Sequence, residues 1–116
     1  MPKYVLSIYG DESQWASFSQ EDVEQSIKAY WAFQDEVEEA GAFIAGEALQ
    51  PSATAKTVRN EDGKARTTDG PFVETKEQLG GFYLLECKDQ AEAVEWAKKI
   101  PAGVSVEVRE VQEYER

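Results

Sequence analysis

Asp69-Gly70-Pro71-Phe72-Val73-Glu74-Thr75-Lys76-Glu77-Gln78-Leu79-Gly80-Gly81-Phe82-Tyr83-Leu84-Leu85-Glu86 puts a turn, a charged bridge, a glycine pair and a hydrophobic strand in one block. From Gly80 to Cys87 the run is apolar on both faces, which predicts a central strand. Gly80-Gly81 leads into a strand and lacks the lysine of a phosphate-binding loop, so it reads as close backbone packing or a bulge. Asp69-Gly70-Pro71 reads as a turn. Asp can bond the backbone that follows it, and Pro71 fixes φ and lacks an N–H. Phe72 is expected to plug the core behind that turn.

Upstream, Tyr4 to Tyr9 alternates as a strand, with Tyr4, Leu6 and Ile8 on one face. Trp15 and Phe18 follow in a loop and read as a hydrophobic flap. Ser19 is a helix cap with acids in the first turn. Val23, Ile27, Tyr30, Trp31, Phe33, Val37 and Ala40 give the helix an apolar stripe. Gly41 ends it, after a length on the order of 30 Å. Ala42 to Leu49 is a second strand, stopped by Pro51. Asp62-Gly63, between Ala55–Arg59 and Lys64–Thr68, marks a polar hairpin at an edge or as a flap.

Downstream, Asp89-Gln90-Ala91-Glu92 starts a helix that Pro101 ends, with Ala93, Val94, Trp96, Ala97 and Ile100 facing in. Val104, Val106 and Val108 then alternate as the inward face of a last strand, with a register change before Val111. The order is strand, helix, strand, hairpin, strand, helix, strand. It predicts an α+β fold: a ferredoxin-like split βαβ sandwich with an inserted polar hairpin. Both helices cover one sheet face. The other face, carrying Tyr83 and Leu85 or their alternates, is left bare, and a second subunit is its simplest cover.

The 116 residues make a single domain, residues 1–116, large enough to fold without a disulfide or metal. The net charge of −11 argues against nucleic acid and anionic membranes and favours a basic or cationic partner. No run is long enough to span a bilayer and no signal-peptide core is present, so a cytoplasmic location is expected. Cys87 is the single cysteine and reads as a small buried hydrophobe. There is no histidine, which removes Ser-His-Asp and Cys-His catalysis and imidazole metal sites. No cofactor or metal is expected.

Acid–base work would fall to carboxylates: Asp69 and Glu74 are the candidate catalytic pair, with Asp11 as a further acid–base candidate. Arg66 and Lys76 could counter an anionic ligand. Tyr9, Asp11 and Glu47 sit at strand ends. They serve either as a network that holds loops or as polar anchors of a small-molecule pocket walled by Trp15, Trp31 and Phe72. Paired carboxylates are common by chance in a chain with 23 acids.

Asp69-Gly70-Pro71-Phe72, Glu74-Thr75-Lys76-Glu77 and Leu79-Gly80-Gly81-Phe82 resemble the DGPF-type branch of the YCII-related family. So do Ile8-Tyr9-Gly10-Asp11-Glu12, Gly46-Glu47-Ala48-Leu49-Gln50-Pro51, Ile100-Pro101 and Ser105-Val106-Glu107-Val108-Arg109. The resemblance implies a homodimer, a dimeric α+β barrel built through the sheets. Some members carry a His–Asp pair in a cleft, which this histidine-free chain cannot form. Members of that branch are often encoded beside extracytoplasmic-function sigma factors, which implies a sigma-factor-linked pathway. Three functions stay open: a small-ligand-binding or accessory homodimer in such a pathway, a carboxylate enzyme, or a pure protein-interaction module.

Overall fold

A computed structural model describes residues 1–116. The chain runs β1 (Lys3–Gly10), α1 (Glu12–Trp15), α2 (Gln20–Glu39), β2 (Phe43–Ala48), a 3-10 turn (Ser52–Thr54), β3 (Lys56–Glu61), β4 (Lys64–Asp69), β5 (Gln78–Glu86), α3 (Gln90–Lys98) and β6 (Ser105–Glu110). Four strands form an antiparallel sheet in the order β2-β5-β1-β6. β1 and β2 flank β5, and β5 and β6 flank β1, so each βαβ unit is split by a strand of the other. This is the ferredoxin-like α+β fold.

Local chemistry sets the helix ends. Ser19 accepts from the Asp22 amide while Asp22 accepts from the Ser19 amide, a complete capping box at α2. Gly41, at φ 74°, takes the left-handed position beyond Ala40. Asp89 caps α3 by accepting from the Glu92 amide at 2.9 Å.

The core lies between the sheet and helices α2 and α3. Leu6 faces Tyr83 on one side and Val108 on the other, and Tyr4 faces Leu85. These side chains meet Phe33 and Val37 of α2 and Ala93 of α3. Phe33 contacts both Tyr83 and Trp96, with ring centroids 5.1 and 6.3 Å away. Each fully buried large side chain contributes roughly 1.5–3 kcal/mol.

One alternative that the sequence left open is decided, and three expectations change. Tyr83 and Leu85 face the helices, and their alternates Phe82 and Leu84 lie on the bare face with Val5 and Tyr9. Only Phe33 and Val37 of the α2 stripe are buried, because Tyr30, Phe33 and Val37 form the row that meets the sheet. Val23, Ile27 and Trp31 repeat every four residues on a neighbouring row and stay exposed. Part of the loop after β1 is the single turn α1, whose Trp15 covers Gly10 and Gly80.

Phe72 is 66% exposed and plugs no core. The β3–β4 hairpin forms its own two-stranded sheet, so Phe72 stands against the hairpin instead. Asp62 and Gly63 both have positive φ, 50° and 74°, as a tight two-residue turn between paired Glu61 and Lys64 requires.

The glycine pair does both things its sequence suggests. Ile8 pairs with Gly81 and Tyr9 with Leu79, which leaves Gly80 as a bulge residue in β5. A Cβ on Gly81 would stand 2.8 Å from the Glu47 carbonyl oxygen of β2.

Candidate functional site

An open cleft of 870 Å³ lies where β1 ends, β5 begins and β6 begins. Tyr9 comes from β1 and Asp11 from the cap of α1. Thr75, Lys76 and Glu77 come from the loop before β5, and Ser105 and Glu107 from β6. The fold brings these segments together because β1 pairs with β5 on one side and β6 on the other, with Tyr9 directly opposite Ser105.

Hydrogen bonds fix the cleft's polar walls. Asp11 Oδ1 accepts from the Ser13 hydroxyl at 2.6 Å and from the Ser13 amide at 3.0 Å. The Ser13 hydroxyl bond is the main cause that holds the Asp11 carboxyl below its ordinary range, and the amide and the Lys76 charge add to it. Asp11 is therefore a fixed anion rather than a proton donor at neutral pH. Ser105 donates its hydroxyl to Glu77 at 3.1 Å, linking the charged loop to β6. Gln78 Nε2 donates to the Thr75 carbonyl oxygen at 2.6 Å and shapes the same loop. The cleft thus carries three carboxylates, of which Glu107 is paired with Arg109 at 2.8 Å, and Asp11 and Glu77 stand against the one ammonium of Lys76.

Of the residues singled out in the sequence, Tyr9, Asp11 and Lys76 line this cleft. Trp15 lies beside it over Gly10 and Gly80. The others are placed elsewhere. Asp69 is paired with Lys56 on the hairpin. Glu74 is exposed on the loop that follows the hairpin. Arg66 stands across the hairpin from Arg59, whose guanidinium lies 4.9 Å from the Phe72 ring centre. Trp31 is on the outer surface of α2. Glu47 is on β2 opposite Phe82.

The turn at Asp69 is held through the backbone of Gly70 as well as by the Asp69–Lys56 pair. The Gly70 amide donates to the Ala55 carbonyl at 2.7 Å, and Thr57 Oγ1 donates to the Gly70 carbonyl at 2.8 Å. Gly70 has φ 94°, a conformation that glycine adopts without steric cost.

Sequence reasoning missed Gln14, Thr75, Glu77, Ser105 and Glu107. Glu77 lay in the charged bridge already noted, one residue from Lys76. Ser105 and Glu107 gave a weaker signal: they are the polar alternates of an inward valine row. No group of three His, Cys, Asp or Glu side chains is placed to hold a metal ion. No helix is long and apolar enough to cross a membrane.

The model of the YCII-related domain matches residues 2–115. The chain belongs to the YCII-related family. A Rhizobium meliloti (strain 1021) protein, itself described as uncharacterized, is 37% identical over 115 residues, spanning 96% of this chain and 93% of the relative. The match covers the cleft, the hairpin and the whole four-stranded sheet, so the family's domain is the entire fold described here.

Proposed function

We propose that the protein is a homodimeric binding protein that holds a small polar ligand with a cationic end in the Tyr9–Asp11–Lys76 cleft. The observation that carries this reading is the convergence of three chain segments on a cleft with fixed polar groups. Its volume falls within the range of small-molecule sites, which is roughly 300–1,000 Å³. The excess of carboxylates selects for positive charge, and Tyr9 and Ser105 offer neutral hydrogen-bonding groups. Tyr9, Ser105 and Glu107 lie on the sheet face that has no helix over it. A second copy packed on that face would roof the cleft and exclude water from it.

Binding is favoured over carboxylate catalysis because Asp69 and Glu74 stand away from the cleft and Asp69 is engaged by Lys56. Membership of the DGPF-type branch and a role beside a sigma-factor-linked pathway belong to the same proposal and rest on the sequence resemblance. The test is a thermal-shift screen of amines and amino acids on the purified protein. A ligand at a hundred times its Kd stabilises by about 2.7 kcal/mol, which is visible as a rise in Tm. The rise is expected to vanish in Glu77→Gln and, for simple amines, to persist or grow in Lys76→Gln, which removes a positive charge from the cleft. A panel with no stabilising compound, or a rise unchanged in Glu77→Gln, would overturn the reading.

A further inference from the structure

Two exposed surfaces of the chain have no partner within it. The first is the β3–β4 arm. Arg59 and Arg66 stand directly opposite each other, an arrangement that like charge disfavours. Neither forms an ion pair with an acid of its own chain, although the chain has 23 acids. Phe72 lies under Arg59 and is 66% exposed. The arm also extends the molecule. The radius of gyration is 16.2 Å, against roughly 13 Å for a compact domain of about this length.

The second surface is the row Val23, Ile27 and Trp31 on α2, 43%, 51% and 58% exposed. Glu24 and Asp35 neighbour Ile27 and Trp31 at helical spacing, and neither is in an ion pair.

We propose that these surfaces are the two halves of one contact between copies of this chain. The Arg59–Arg66–Phe72 face of one copy seats on the Val23–Ile27–Trp31 row of a second copy, with the guanidinium groups toward Glu24 and Asp35. Charge complementarity commits the arm to this occupant. The arm, from Lys56 to Asp69, holds four cationic side chains against three acids, while α2 holds seven acids against Lys28. A free anion would satisfy the arginines and leave the apolar row bare, whereas a second copy satisfies both. The contact uses none of the residues of the bare sheet face, so it stands independently of pairing through the sheets.

The test is sedimentation of the full chain over a range of concentrations, with two charge reversals: Arg59→Glu with Arg66→Glu, and Glu24→Lys with Asp35→Lys. All four positions are exposed and outside any ion pair of the chain, and circular dichroism checks that the fold is kept. Each reversal is expected to weaken association by about tenfold or more. Equimolar mixing of the two variants restores it, as does a chain that carries both reversals, and added salt weakens it in the wild type. Association unchanged in both reversed variants overturns the contact and returns the arm to another acidic partner. Loss in both variants without rescue on mixing overturns it too. Leu84→Asp, on the bare sheet face, separates the other interface. Association that is lost in that variant and insensitive to the arm reversal leaves sheet pairing standing and removes this contact.

Discussion

Cys87 is fully enclosed at the end of β5, and its surroundings set its chemistry. Removal from water, with smaller contributions from Glu92 and Asp89, pushes the thiol up to about 11 from an ordinary 9.0. The folded state therefore holds the proton more tightly than the unfolded state. The stability this confers is complete below pH 9 and is lost as pH rises from 9 towards 11. Tyr4, Tyr30 and Tyr83 act in the same direction at higher pH, all raised chiefly by burial. Urea titrations are expected to show the midpoint falling across that range, with a shallower fall in Cys87→Ala. A thiol reagent at pH 8 should react only on unfolding, and rapid reaction in the native protein would contradict the burial argument. The buried, inert cysteine was legible in the sequence, from its place in an apolar strand. The lowered Asp11 was not, because its main partner, Ser13, becomes one only through the turn geometry of α1.

Among the elements, β5 repays the closest reading. Gly80 bulges opposite β1 and Gly81 lets the β2 backbone approach. Gly81→Ala places a methyl against the Glu47 carbonyl, which is backbone and cannot swing aside. Overpacking of that kind costs about 1–3 kcal/mol, and the loss is measurable as a lower urea midpoint at unchanged slope. A stability equal to wild type would show that β2 can move away freely. The helix caps at Ser19 and Asp89, the Asp62-Gly63 turn and the alternation of β1 and β6 were all legible, since each is a local rule of backbone chemistry. The face of α2 was not. Its sequence offers two adjacent apolar rows, and only the position of the sheet selects the one that contains Phe33 and Val37.

For the whole molecule, the deciding quantity is the uncovered sheet face. Val5, Tyr9, Phe82 and Leu84 lie there without a helix above them, in a body only 18 Å along its shortest axis. A stable pairing through such a face buries roughly 800 Å² per partner. Light scattering is expected to give the mass of a dimer or of a multiple of it, and Leu84→Asp to break that interface by placing a charge in its centre. A mass equal to one chain at every concentration would refute the pairing, and the roof over the cleft would go with it.

Apart from the short α1 and the 3-10 turn, the sequence alone determined the order of elements, their approximate ends and the split βαβ topology. These follow from periodicity, capping and turn chemistry acting within a few residues, and from the handedness of crossovers. The tertiary structure decided where the block from Asp69 to Glu86 divides. Its glycine strand enters the core, its turn and Phe72 go out with the hairpin, and its Lys76–Glu77 bridge meets β1 and β6 at the cleft. The physical reason is range. Tyr9, Glu77 and Ser105 become neighbours only through strand pairing across almost the full chain, and no local rule in any one segment encodes that meeting.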